Sequence, residues 1–168
     1  MKRNSILGIV AILIFSSCQY DFPLSQQHII PIDSSLLGIW EAIPGEGEET
    51  DPAEQMMVLK YSDTEYLIDY PIGSDGIYFR GYAIKIGNVS CMQLEIIGDA
   101  KGPPKKNDKD LFLVASYTIT HDQMEIKFLN TDLIGRDVSS REELKKAFLE
   151  NIDNENLFND PGVFKRLN

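Results

Sequence analysis

Apolar and polar residues alternate along much of this chain from about residue 36 onward. The clearest case sets Met124, Ile126 and Phe128 against Gln123, Glu125 and Lys127. A period of two turns one face of a strand towards a core and the other towards water. Ser90, Met92, Leu94 and Ile96 form a similar inward set, which places Val89, Cys91, Gln93 and Glu95 on the opposite face. Runs rich in Tyr, Ile, Val, Phe and Thr predict strands over residues 36–43, 56–61, 64–70, 77–86, 89–97, 111–120 and 124–129. Between them lie Ser62-Asp63, Gly73-Ser74-Asp75-Gly76, Gly87-Asn88 and His121-Asp122, the residue types that reverse a chain tightly. Strands joined in this way form hairpins of an antiparallel sheet. Large side chains expected inside are Met57, Leu59, Phe112, Val114, Met124, Ile126 and Phe128.

The period then changes once. Ser140 is placed to cap a helix, Glu143 to complete a capping box, and Glu142 and Glu143 to favour its N-terminus. Leu144, Ala147, Phe148 and Ile152 follow as one apolar stripe at helical spacing. Residues 151–159 read as irregular, Pro161-Gly162 as a break, and residues 163–167 as a short final strand.

The first strand contains Gly38-Ile39-Trp40, with the only tryptophan of the chain. A Gly-x-Trp opening an antiparallel meander, followed by seven strand candidates in all, a late helix and a last strand, resembles the lipocalin and wider calycin families. The resemblance implies a mainly β fold: a single up-and-down antiparallel barrel of about eight strands, with one C-terminal helix before a short last strand. It also implies that Trp40 closes one end and that Arg166, in the last strand, packs across the indole. A guanidinium in that position contributes about 0.5–2 kcal/mol. An eight-stranded barrel is either filled by its own side chains or holds one small ligand, and the large inward candidates lean towards filling.

The N-terminus carries a different signal. Lys2 and Arg3 precede an apolar run over residues 6–15, followed by Ser16-Ser17-Cys18. The run is far shorter than the roughly 20 residues of a membrane-spanning helix and matches the core of a secretory signal peptide. Phe15-Ser16-Ser17-Cys18 resembles the bacterial lipobox, with Phe15 where Leu, Val or Ile is usual. The resemblance implies cleavage after residue 17 and lipidation of Cys18, a membrane anchor in the cell envelope. With Gln19 rather than Asp next, it implies the periplasmic face of the outer membrane if the source is Gram-negative. On this reading residues 1–17 are a signal peptide, 18–35 a flexible tether of roughly 20 Å, and 36–168 the barrel domain.

Charge and candidate chemistry narrow the function further. Loss of Lys2 and Arg3 with the signal takes the formal charge from −10 to −12. An acidic body lacks the basic footprint of a nucleic-acid-binding protein. With Cys18 acylated, Cys91 has no disulfide partner and reads as a buried structural thiol, although strand parity turns it away from the core. His121-Asp122 reads as a turn rather than half of a catalytic triad, and the only other histidine, His28, lies in the tether. Neither Glu46, Glu48, Glu49, Asp51 and Glu54 nor Asp153, Glu155 and Asp160 has the ligand spacing of a calcium loop. Lys101, Lys105, Lys106 and Lys109 form the one basic cluster, diluted by Asp108 and Asp110. No catalytic, metal or cofactor-binding residue is assigned and no cofactor is expected. The expectation is a lipid-anchored envelope module that binds a small apolar ligand or an envelope partner. The alternatives are a structural barrel with a filled interior, or an envelope enzyme using Cys91 or His121 with Asp122.

Overall fold

The computed structural model describes residues 19–45 and 53–167. Residues 1–17, Cys18 and the acidic Glu46, Glu48, Glu49 and Asp51 lie outside the described residues. Eight strands follow one another around a closed antiparallel barrel: β1 (Gly38–Ile43), β2 (Gln55–Lys60), β3 (Tyr66–Tyr70), β4 (Ile77–Ile86), β5 (Val89–Asp99), β6 (Phe112–Thr120), β7 (Gln123–Leu129) and β8 (Phe158–Leu167). β8 closes the ring on β1, with Trp40 opposite Arg166. The mainly β, up-and-down barrel that the Gly-x-Trp resemblance implies is the observed architecture.

Helix α1 (Thr131–Ile134) and helix α2 (Arg141–Glu150) lie between β7 and β8. The α1 turn was not anticipated. Asn130 nucleates it by accepting hydrogen bonds from the Asp132 and Leu133 amides. Ser140 caps α2 by accepting from the Glu143 amide at 3.1 Å. The Glu143 carboxylate reaches one residue further back than a capping box requires, to the Ser139 amide and hydroxyl, each at 2.7 Å. β8 is longer than expected and begins at Phe158. Pro161-Gly162 does not break it. The register against β7 shifts there, and Asp160 takes a left-handed conformation at φ 53°. A bulge of this kind accommodates a proline that has no N–H to give to a ladder.

The sheet carries a core on each face. Inside lie Trp40, Met56, Val58, Tyr66, Phe79, Met92, Leu94, Leu113, Ala115, Met124, Phe128 and Phe164. The expected inward residues of β2 and β6 are therefore corrected by one position. Met56 and Val58 point in while Leu59 is exposed, and Leu113 and Ala115 point in while Val114 joins the outer core. Both strands are apolar on both faces, so their parity follows from pairing around the ring.

The outer core lies over β4, β5, β6 and β7. Ile84, Cys91, Val114 and Leu129 are covered there by Leu144 and Phe148 of α2 and by Tyr20 and Leu24 of the N-terminal segment. Residues 19–35, expected to be a flexible tether, are thus a strap fixed to the barrel wall. Tyr20 exchanges backbone hydrogen bonds with Phe112 at 2.8 and 3.0 Å. The Ser25 carbonyl accepts from the Tyr82 hydroxyl at 2.7 Å, and the Pro23 carbonyl from Arg141 Nε at 3.0 Å. Ile29 remains 76% exposed, while Phe22 packs on the outer core.

Gln93 pins the strap. It is fully buried; its Oε1 accepts from the Leu24 amide at 2.7 Å and its Nε2 donates to the Leu113 carbonyl at 2.8 Å. A buried backbone group without a partner costs about 1–3 kcal/mol. Gln93→Leu is expected to destabilise the protein by about 2–3 kcal/mol in urea unfolding. It should also speed amide exchange at residues 20–25 more than in the β-strands. Exchange rates in the strap equal to wild type would show that Gln93 does not hold it.

Candidate ligand-binding cavity

The antiparallel order gives the barrel two unlike ends. At one end lie the starts of β1, β3, β5 and β7, the close connections of residues 61–65, 87–88 and 121–122, and a 3-10 turn (Ser34–Leu36). At the other end lie the connections of residues 44–54, 71–76, 100–111 and 130–157.

The first end is closed by Trp40, which is fully buried. Its Nε1 donates to the Leu36 carbonyl at 2.9 Å, and the Arg166 guanidinium lies 4.2 Å from the ring centroid. Arg166 also donates to the Leu37 carbonyl at 2.7 Å and to the Ser35 carbonyl. Gly38 has φ 134°, and a Cβ there would stand 3.0 Å from Arg166 Nη1. The Gly-x-Trp spacing therefore leaves room for the arginine and supplies a backbone conformation that a side chain would oppose.

Above this plug the inward residues enclose a cavity of about 160 Å³. Its wall is apolar, with Met56, Met92, Met124, Ile126, Phe128 and Ala115 among the lining residues. The lining continues to Asp160 and Pro161, which are exposed, so the cavity reaches the surface at the end opposite Trp40. That end is the mouth.

Polar atoms of the lining sit at its two ends. Near the plug, the Tyr66 hydroxyl accepts from the Asp33 amide at 2.5 Å. Burial pushes the Tyr117 phenol up to about 12, with the nearby Tyr66, the charge of Asp33 and a hydrogen bond to Asp33 adding to the shift. Near the mouth, the Tyr70 hydroxyl donates to the Glu54 carboxylate at 2.6 Å. Burial first, then Glu54, raises that phenol far above its ordinary value. All three phenols are neutral at physiological pH, so the cavity presents hydroxyls but no charge from these residues.

The other residues singled out by sequence lie elsewhere. His121, at φ 58°, and Asp122 are exposed in the β6–β7 turn, and the Asp122 carbonyl accepts from the Arg166 amide at 2.7 Å. Cys91 faces outward, as its parity indicates, yet it is buried under the strap and α2. The outer core, invisible to an alternation argument on one strand, resolves that tension. Among the described residues, no group of three or more His, Cys, Asp or Glu is arranged to hold a metal ion.

Sequence reasoning also missed a cluster on the barrel wall. Glu65 binds Arg80 in a salt bridge and lies 2.8 Å from His28 Nδ1 of the strap. Burial pushes the Glu65 carboxyl up, but hydrogen bonds and charge from Arg80, with help from Ser62 and His28, outweigh it and hold the group below its ordinary value. No local pattern joins residues 28, 65 and 80; the strap's path brings them together. No protein-family model, curated protein or solved structure matches this chain.

Two outcomes follow from this geometry. Arg166→Ala removes a cation–π contact of about 0.5–2 kcal/mol and two hydrogen bonds of about 1 kcal/mol each. A loss of about 2–4 kcal/mol in urea unfolding is expected, with a red-shifted Trp40 emission; Arg166→Lys, which keeps the charge but not the fork, should recover only part. An Arg166→Ala protein as stable as wild type would remove the pair from its closing role. Burial pushes the Cys91 thiol up to about 12 from 9.0. A group whose value is raised by folding favours unfolding once the unfolded thiol ionises, so this contribution to stability is complete below pH 9 and is lost as pH rises from about 9 to about 12. Ellman's reagent at pH 8 should modify Cys91 only after denaturant is added; rapid modification of the folded protein would contradict its burial.

Proposed function

We propose that the mature protein, residues 18–168, is a lipid-anchored envelope protein whose lipocalin-like barrel receives a small apolar ligand. The N-terminal layout ending in Ser16-Ser17-Cys18 supports the anchor. The observation that carries the binding role is the apolar cavity of about 160 Å³ reaching the exposed rim at Asp160 and Pro161. A cavity near 150 Å³ lined by aliphatic and aromatic groups takes up a benzene-sized molecule, whereas drug-sized ligands need about 300–1,000 Å³. The expected ligand is therefore a single ring or a short hydrocarbon segment. Transfer of about five methylene equivalents at ~0.8 kcal/mol each gives ~4 kcal/mol, a Kd near 1 mM for the segment alone.

A second reading has its own support. Leu59 and Tyr78 on the outer wall are 43% and 39% exposed, and Tyr61 beyond β2 is 62% exposed, on a side of the sheet that the helix and strap leave uncovered. That wall suits an envelope protein partner.

Methyl NMR separates the two. Toluene or 1-hexanol titrated into the mature domain should shift the methyl signals of Met56, Met92 and Met124, while Met57, outside the cavity, stays still. Ala115→Leu, which occupies part of the space, should abolish the shifts at a stability cost of about 1–3 kcal/mol. Interior methyl signals that ignore both compounds at millimolar concentration would sink the ligand role.

A further inference from the structure

We infer that the barrel rests on an anionic phospholipid bilayer through its β5–β6 rim, with the mouth end towards the membrane. The inference rests on the proposed lipidation of Cys18. Three observations converge on the rim.

The first is the point where the strap begins. Tyr20 is paired with Phe112, the first residue of β6, at the mouth end of the barrel. Two further residues of chain span at most about 7 Å. A lipid on Cys18 therefore attaches beside this rim, with no spacer to let the body tumble. A flexible tether of eighteen residues would have left the orientation open; a docked strap does not.

The second is charge. The β5–β6 connection carries Lys101, Lys105, Lys106 and Lys109, all exposed. Asp99 and Asp108 turn back onto loop amides, and Asp21 of the strap lies 3.5 Å from Lys109 Nζ. The Asp99 carboxylate accepts from the Lys101 amide at 2.7 Å, and that of Asp108 from the Lys105 amide at 2.7 Å. The Asp110 amide donates to Asp21 of the strap at 3.0 Å, which ties loop and anchor segment together. The exposed Lys101, Lys105 and Lys106 thus stand beside the start of the strap, where anionic headgroups would attract their ammonium groups.

The third is the opposite side of the mouth. Glu54, the residue before β2, belongs to the side of the ring that lies across the barrel from β5 and β6. Eight strands about 4.8 Å apart and tilted make a ring ~16 Å wide, more than the ~8 Å over which physiological salt screens charge. The side of β1 and β2 is turned away from the bilayer while the β5–β6 side meets it, so the barrel leans on the lysine loop.

The test uses the full-length lipidated protein in vesicles of phosphatidylcholine with or without phosphatidylglycerol. A fluorophore is placed on Asn107→Cys in the loop, Ser74→Cys in the β3–β4 connection, or Asn88→Cys in the turn at the closed end. A headgroup-bound quencher in the anionic vesicles should quench in the order residue 107, then 74, then 88. Equal quenching at 107 and 88, or the reverse order, in protein that floats with the vesicles overturns the orientation and leaves the anchor standing. Protein that does not float and whose N-terminal peptide lacks the lipid mass overturns the anchor and the orientation with it. Replacing all four lysines by Gln should bring quenching at residue 107 down to its level in phosphatidylcholine alone; no change would overturn the part assigned to the lysines.

Discussion

The seam between the first and last strands is the constraint on which the barrel depends. Seven of the eight strand pairs join strands that are consecutive in the chain; β1 and β8 are not, and their meeting requires the whole chain to be in place. Arg166 concentrates that closure in one side chain. It lies over Trp40 and donates to Leu37 and Ser35, while its amide reaches Asp122 in the β6–β7 turn. The start of the barrel, its end and the turn beside them are thereby joined. The guanidinium suits the role because it is planar enough to lie on an indole and still offers donors at its edge.

Closure also settles which face of each strand is inside. A one-residue slip exchanges the two faces. In β2 and β6 the apolar runs would tolerate either choice, and pairing such as Trp40 opposite Met56 decides it. The outer face so defined is apolar over β4 to β7, and it needs a cover. Helix α2 and the strap provide one, and they share a boundary at Arg141 and Pro23. The result is one sheet with two cores. The inner core retains space beside the small Ala115, and the outer core encloses Cys91 and Gln93.

The strap is therefore a structural element. A buried glutamine, a tyrosine hydroxyl and the contact of His28 with Glu65 hold it at successive points along the wall. The described chain is joined to the barrel from its first residues, through backbone pairing of Tyr20 with Phe112.

Much of this was legible in the residues. Alternation in β5 and β7, the turn residues between hairpins, the Ser140 cap with its apolar stripe, and the Trp40 and Arg166 positions are local signals, because period two, capping and a short motif need no knowledge of distant neighbours. Element boundaries were less so: β8 starts at Phe158, since a bulge lets Pro161 remain in a strand, and the 3-10 turn replaces the expected beginning of β1. What the sequence determined by itself was the hairpin order, the late helix and the pattern of the N-terminus. What only the tertiary structure decided was the parity of β2 and β6, the burial of outward Cys91, the strap in place of a tether, the Glu65–Arg80–His28 cluster and the cavity. Each of these depends on which remote segments meet once the ring is closed, and no spacing within one segment encodes that.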